Sequence, residues 1–336
     1  MSFSIMTGFD LDSIPRIHLC LLPTPIVPLQ RLTKHLGGAK IFIKRDDLTG
    51  IAFGGNKNRK LEFLLADARE KKADVIVTEG ALQSNHCLQT AACSSKLGLE
   101  CELVLSGEDP KTITGNLLLD QILDVRIHRV KDRAERKIVM NEIEENLRSL
   151  GKTAYIIPSG GSTKIGALGY LNCASEISKQ SKEMAVTFDY FVHSSGSGGT
   201  QSGILIGKEL YYPELEVLGI SDGESKEALE AKIKGIIKEF NDEWGLDLRI
   251  HKDTIKVLEG YFGEGYGIPS QEMISTVKQI AKLEGIFLDP VYNGKAMVGL
   301  IDLIRSEAIS RDQNVLFLHS GGGPSIFSYT EVFRRI

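Results

Sequence analysis

The chain contains no uninterrupted apolar run of membrane-spanning length, and near its start stand Asp10 and Asp12 rather than a basic stretch leading into an apolar one. Neither a membrane span nor an export signal is expected, so a soluble, cytoplasmic protein is the working expectation. Cysteine is sparse and odd in number. The five residues Cys20, Cys87, Cys93, Cys101 and Cys173 include no CxxC pair, which points to neither a disulfide framework nor a zinc ribbon. The seven histidines show no HExxH pattern or other ligand spacing, so no metal is expected. An excess of one charge is missing too. Lys and Arg total 40 against 44 Asp and Glu, a net charge of -4, and nucleic acid finds no basic footprint here. The partner these absences leave is a small molecule.

What the chain does have is length and rhythm. With 336 residues, 42% of them hydrophobic, it can fill about two domains of ordinary size. Short β-rich runs alternate with amphipathic helical stretches, the pattern of an α/β protein with mainly parallel sheets. Strands are predicted at 40–44, 75–78, 102–105, 125–130, 155–157, 190–193, 217–220 and 315–318. In open parallel sheets ligands bind beyond the carboxyl ends of the strands, and the glycine- and hydroxyl-rich turns at 80–86, 159–163, 194–203 and 320–324 fall there. No repeat or low-complexity tract marks a linker. Loop composition and size place the domain boundary near Ser162.

Lys57 is the residue that says most. It lies in Phe53-Gly54-Gly55-Asn56-Lys57-Asn58-Arg59-Lys60-Leu61-Glu62, where a glycine turn opens a predicted helix whose apolar positions Leu61, Leu64, Leu65 and Ala68 recur at helical spacing. Asn56 is the expected N-cap, and the glycines let a ligand approach the backbone. Lys57 then projects from the first turn of the core-facing stripe. An amine partly withdrawn from water loses proton affinity and becomes available for a Schiff base with an aldehyde such as pyridoxal phosphate. The competing reading is a solvated lysine that snorkels to the surface, as most lysines do.

The segment Ser194-Ser195-Gly196-Ser197-Gly198-Gly199-Thr200-Gln201-Ser202-Gly203 joins a predicted strand to a predicted helix. Backbone N–H groups at a helix start, backed by the dipole and by the Ser197 and Thr200 hydroxyls, suit a phosphate. Ile204 and Leu205 follow Gly203 where a Walker A loop needs Lys and Ser or Thr, and Gln201 replaces the third glycine of a dinucleotide fingerprint. A nucleotide stays open as an alternative, because Asp222 lies about twenty residues on, where a ribose-binding acid would sit. In the turn Gly80-Ala81-Leu82-Gln83-Ser84-Asn85-His86, Ser84 sits near a helix N-cap. With Asn85 and His86 beside it, the same turn could hold a substrate carboxylate and a cofactor hydroxyl.

Six motifs, in this order, converge on one family: Gly-Gly-Asn-Lys at Lys57, Gln-Ser-Asn-His at 83–86, the glycine loop at 195–203, Gly265-Tyr266-Gly267-Ile268-Pro269, Leu288-Asp289-Pro290-Val291-Tyr292-Asn293-Gly294-Lys295, and His319-Ser320-Gly321-Gly322. Across nearly its whole length the chain resembles D-cysteine desulfhydrases and 1-aminocyclopropane-1-carboxylate deaminases, pyridoxal phosphate enzymes of the tryptophan-synthase-β-like class. That resemblance implies two open, twisted, mainly parallel sheets flanked by helices, with the cofactor in the cleft between domains. The larger domain would comprise 1–52 and 163–336, and the smaller 53–162. It implies that Lys57 carries the cofactor as a Schiff base and acts as general base. Gly196, Ser197, Gly198, Gly199 and Thr200 would hold the phosphate with Lys60, and Asn85 would stand beside the pyridine hydroxyl. Ser84, Tyr266 and Tyr292 would surround the reacting substrate, with Asn85 and His86 also binding it, and the assembly would be a homodimer.

One position divides the family. The deaminases follow the tyrosine of Asp-Pro-Val-Tyr with glutamate, facing the pyridine nitrogen, whereas the desulfhydrases carry threonine. Asn293 matches neither, and as a neutral amide it would only hydrogen-bond to the ring nitrogen. Together with His86, which the desulfhydrases share and the deaminases replace with glutamine, it favours β-elimination from D-cysteine over cyclopropane opening. Elimination from cysteate or L-cysteine on the same scaffold, and binding of pyridoxal phosphate or a nucleotide without turnover, are the remaining alternatives.

Overall fold

The computed structural model describes residues 9–334. Its strands, in chain order, are β1 (Ile26–Pro28), β2 (Lys40–Arg45), β3 (Val75–Ala81), β4 (Glu100–Ser106), β5 (Arg126–Val130), β6 (Ala154–Ile157), β7 (Tyr190–Ser195), β8 (Glu216–Ser221), β9 (Lys256–Leu258) and β10 (Asn314–His319). They segregate into two sheets. One is four-stranded and wholly parallel, in the order β5-β4-β3-β6; the other is six-stranded, in the order β1-β2-β10-β7-β8-β9, and only β1 runs antiparallel. The fold is the expected one of two mainly parallel, helix-flanked sheets. Each of the eight predicted strands overlaps an observed one. The two missed, β1 and β9, are three-residue edge strands, too short to show a period.

Eleven helices cover the described chain: α1 (Gln30–Leu36), α2 (Asn56–Glu70), α3 (Asn85–Lys96), α4 (Gly115–Ile122), α5 (Arg133–Ser149), α6 (Lys164–Met184), α7 (Gly199–Tyr211), α8 (Lys226–Trp244), α9 (Gln271–Glu284), α10 (Asn293–Arg305) and α11 (Thr330–Arg334). None is long and apolar enough to cross a membrane.

Helix α2 decides where the site lies. Its predicted stripe of Leu61, Leu64, Leu65 and Ala68 is buried in the core of the smaller sheet with Ile76, Leu103, Leu105 and Ile157. Its other flank sends Phe63 into the core of the larger sheet, beside Ala167, Leu168, Tyr170 and Leu171 of α6. At the crossing Gly169 lies so near that a Cβ there would sit 2.5 Å from the Arg59 carbonyl oxygen. One helix therefore belongs to both cores, and its first turn opens at the seam between them.

Polar contacts fix that first turn. Arg59 is buried and donates through Nε and Nη2 to Asp46, both at 2.8 Å, and through Nη1 to Glu176 at 2.9 Å. Tyr170 and Thr24 complete the bonds to Asp46, while Lys44 pairs with Glu176. Burial opposes the Asp46 charge, but Arg59 foremost, with Lys44 and the Tyr170 hydroxyl, holds its carboxyl below the usual range. Such a network is worth little against an apolar substitute but is costly to break on one side. Replacing Arg59 with Met should therefore lower stability by about 3–5 kcal/mol, seen as a lower urea midpoint at unchanged slope. A loss below about 1 kcal/mol would contradict the anchoring role.

Candidate active site

The carboxyl ends of β3, β7, β8 and β10 and the starts of α2, α3, α7 and α10 surround one cleft of about 900 Å³. It brings together Lys57, the Ser84-Asn85-His86 turn, the loop Gly196-Ser197-Gly198 with Thr200, and the phenols Tyr266 and Tyr292. Gly199 begins α7 directly behind that loop. Lys60 and Asn293 do not line the cleft but lie in its walls.

Lys57 reaches the cleft because the turn before it is made of glycine. Gly55 has φ of +138° and precedes the helix, and a Cβ on Gly54 would meet the Asp47 carbonyl oxygen at 2.0 Å. Asn56 is not the N-cap that its type suggests. Gly55 holds that position, and no side chain caps the helix. The Asn56 amide instead donates to Thr200 Oγ1 at 3.1 Å and accepts from Lys57 Nζ at 2.9 Å, tying the lysine to the glycine loop. Burial pushes the Lys57 amine from 10.5 down to about 8, against the opposing pull of Asp222 and Asp289. At pH 7.5 roughly one amine in four is then neutral, compared with about one in a thousand for a free lysine. The Tyr292 ring lies 6.0 Å from Nζ.

The glycine loop is cut to fit an anion rather than a side chain. Gly198 adopts φ of +84°, and α7 starts with N–H groups that no helical carbonyl satisfies. A Cβ on Gly199 would lie 2.6 Å from Ser162 Oγ and 3.0 Å from Lys60 Nζ; one on Gly160 would lie 2.3 Å from Ser197 Oγ. Ser162 donates to Ser197 Oγ at 2.7 Å and accepts the Gly199 N–H. Lys60 is buried beneath, donating to the Gly160 carbonyl at 3.0 Å. Its proton affinity is driven well down by burial and then by Lys57. Two amines buried together at a glycine-lined helix N-terminus call for a phosphate-sized anion. The donor set thus fits the phosphate of pyridoxal phosphate.

The opposite wall is α3. Ser84 caps it, its Oγ accepting the Cys87 N–H at 3.2 Å. Asn85 accepts from Asn116 Nδ2 at 2.7 Å, which fixes its amide, and its Nδ2 lies 2.9 Å from where a Gly322 Cβ would be. The Thr78 hydroxyl gives its proton to the Ile157 carbonyl at 2.7 Å, so His86 Nε2, 2.8 Å away, must donate to Thr78. His86 Nδ1 is left unprotonated and buried without a partner among the described residues. Burial, then Lys57 and Lys60, keep this imidazole neutral.

The third wall is held by Asp289. Its carboxylate accepts the backbone N–H groups of Val291, Tyr292 and Asn293, at 2.8–2.9 Å, and so fixes the turn that presents Tyr292. The Tyr292 and Tyr266 hydroxyls share a hydrogen bond. Tyr292 holds its proton well above the usual phenol range through burial, then Tyr266 and Asp222. Tyr266 stands at the mouth, 47% exposed.

Asn293 turns its side chain inward. Its Nδ2 donates to Asp289 Oδ1 at 2.6 Å and to the Gly321 carbonyl at 2.8 Å, while its Oδ1 accepts from Ser320 N and Oγ at 2.9 and 3.1 Å. Fully buried, with both halves of the amide engaged, it has nothing left for a ring nitrogen. The residue it positions, Ser320, lines the cleft instead. In the sequence Ser320 stands within a glycine motif at a strand end, and no feature around it marks a role. Gln201 lines the cleft too, with its side-chain amide engaged, accepting from Ser195 Oγ and donating to the Lys256 carbonyl. Asp222, weighed as a ribose-binding acid, lines this same cleft.

The fold and the anion-ready lysine site define a class, and comparison with known proteins gives the same one. The sequence model of the family described as "Pyridoxal-phosphate dependent enzyme" matches residues 17–321. The D-cysteine desulfhydrase of Klebsiella pneumoniae (strain 342) is 41% identical over 325 residues, 95% of this chain and 98% of the relative. A putative 1-aminocyclopropane-1-carboxylate deaminase of Pyrococcus abyssi is 38% identical over 323 residues, 96% of each chain. A solved ACC deaminase homologue superposes with a TM-score of 0.90 at 37% identity, covering 99% of this chain and 98% of that one. An O-ureido-L-serine synthase, at 18% identity and TM-score 0.67, shares the fold. The chain belongs to the pyridoxal-phosphate dependent enzyme family. Its cofactor is pyridoxal phosphate.

Only the neutral amine is a nucleophile, so lowering the Lys57 pKa moves its reactive range toward neutrality. Capture of pyridoxal phosphate by cofactor-free protein, followed by stopped-flow absorbance, should quicken as pH passes through about 8 and then level off. A rate still climbing toward pH 10.5 would contradict the dehydration of Lys57.

Proposed function

We propose that the chain is a β-elimination lyase that converts D-cysteine to pyruvate, ammonia and hydrogen sulfide. The observation that carries this reading is the placement of the Lys57 amine in one cleft with the glycine loop before α7 and the Ser84 end of α3. Relatives at about 40% identity along the full chain bear the name D-cysteine desulfhydrase, which supports the choice of substrate. Pyridoxal phosphate, when bound, supplies an electron sink for the pair left on Cα.

The chain's own residues do the rest. Gly196, Ser197, Gly198, Gly199 and Thr200, with Lys60 beneath, would hold the phosphate, and Asn85 and Ser320 would meet the polar edges of the ring. The start of α3, with Ser84, Asn85 and His86, would bind the substrate carboxylate, where the helix dipole favours it. Lys57 would take the proton from Cα, and Tyr266 and Tyr292 would orient the substrate at the mouth. The enamine released after loss of the thiol hydrolyses in water to pyruvate and ammonia. Division into a domain of 1–52 and 163–336 and a smaller one of 53–162, and a cytoplasmic homodimer, belong to the same proposal; the two separate sheets support the first part.

A second reading, opening of 1-aminocyclopropane-1-carboxylate, is favoured by the name of the Pyrococcus abyssi relative. Pyruvate release from D-cysteine, L-cysteine, cysteate and D-serine, and keto-acid release from 1-aminocyclopropane-1-carboxylate, separate these substrates. D-cysteine is expected to give the highest kcat/KM, and no pyruvate from it would end the proposal. Lys57→Ala should abolish turnover while leaving the unfolding transition in place, because base and covalent anchor go together. Near-normal turnover in that variant would refute the role of Lys57.

A further inference from the structure

Asp222 is the one acidic residue at the end of β8 that faces the cleft without a partner. It is only 4% exposed, it lines the cleft, and its side chain makes no hydrogen bond to any described residue. Its position is fixed on both sides by glycine. A Cβ on Gly196 would lie 2.2 Å from Asp222 Oδ2, and a Cβ on the next residue, Gly223, would lie 2.9 Å from the Tyr266 Cβ. The carboxyl therefore stands between the glycine loop and the tyrosine at the mouth, on the wall across from α3. In the elimination reading, a substrate whose carboxylate is held at α3 would turn its side chain toward this wall.

Resting on the elimination reading above, we infer that Asp222 is the acid that protonates the leaving sulfur. The Cβ–S bond breaks with its electron pair on sulfur, the proton passes from Asp222 to that sulfur, and hydrogen sulfide departs. Asp222 remains as a carboxylate until water in the cleft returns a proton.

The chemistry of the neighbours selects Asp222 over the tyrosines. A thiol ionises near about 8.5, and a phenol held above its usual range gives up a proton less readily than the sulfur it would serve. Burial raises Tyr292 in this way, and the Tyr266 hydroxyl is bonded to it. Burial also lifts the Asp222 carboxyl from 3.8 to about 7, opposed by Lys295 of α10 and Lys57 of α2, and assisted by Glu224 beside it and Asp289 ahead of α10. At neutral pH such a group both carries a proton and can lose it, the match an acid catalyst needs. Lys295 is already committed, donating to the Gly265 carbonyl at 2.7 Å.

A leaving group that needs no proton tests the assignment. In the cofactor-loaded enzyme, Asp222→Asn should lower kcat for D-cysteine by about a hundredfold or more. The loss for β-chloro-D-alanine, which expels chloride, should be roughly tenfold or more smaller. Asp222→Glu, which keeps the acid, should recover part of the D-cysteine rate, and it stands in if the asparagine variant fails to fold. For wild type, kcat for D-cysteine should fall as pH rises past the Asp222 pKa, and this fall should be absent with β-chloro-D-alanine. Equal losses for both substrates, or no loss for D-cysteine, overturn the role of Asp222 while leaving the elimination intact. Wild-type enzyme that releases no pyruvate from D-cysteine overturns both.

Discussion

A lysine amine taken partly out of water at the seam of two sheets is the constraint on which the rest depends. Dehydration opposes its charge, and the fold has to supply that dehydration without burying the amine beyond reach. It does so by sharing α2 between both cores, so that Leu61, Leu64, Leu65 and Phe63 hold the helix from two sides while its first turn is left at the cleft. The Arg59 network with Asp46 and Glu176 fixes the rotation of that helix. Rotation matters because Lys57, Arg59 and Lys60 leave the same turn in different directions, toward the cleft, the larger core and the glycine loop.

Three lysines compete for the cofactor on chemical grounds, and geometry separates them. Lys57, Lys60 and Lys295 all have proton affinities lowered chiefly by burial. Lys60 is spent on the Gly160 carbonyl under the glycine loop, and Lys295 on the Gly265 carbonyl that steadies the Tyr266 segment. Among the described residues Lys57 Nζ bonds only to the Asn56 side chain, a contact that a modest rotation releases. The same crowding of cations explains why the loop above Lys60 suits an anion: a bound phosphate restores the charge that burial takes from these amines.

Much of this was legible in the sequence. The short β-rich runs of the eight longer strands and the helical spacing after Lys57 are backbone statements, and local pattern carries them. Glycine motifs at strand ends located the cleft, because in parallel sheets that is where the chain must turn close to a ligand. Side-chain direction was less legible. Asn56 has the right type for an N-cap, but positive φ at Gly54 and Gly55 shifts the helix start and turns the amide toward Thr200. Asn293 follows Tyr292 in a motif expected at the cofactor ring, yet as the first residue of α10 it points inward to Asp289 and Gly321. Ser320 and Asp222 gain their roles only through strands far apart in the chain. Neither β10 beside β2 nor β8 beside β7 announces which side chains will share a wall.

Reduction of the cofactor-loaded protein with borohydride, followed by peptide mass mapping, tests the central claim most directly, because it fixes the cofactor to whichever amine holds it. The account predicts the pyridoxyl group on Lys57 alone. Label on Lys60 or Lys295, or no covalent label in protein that retains the cofactor, would contradict it.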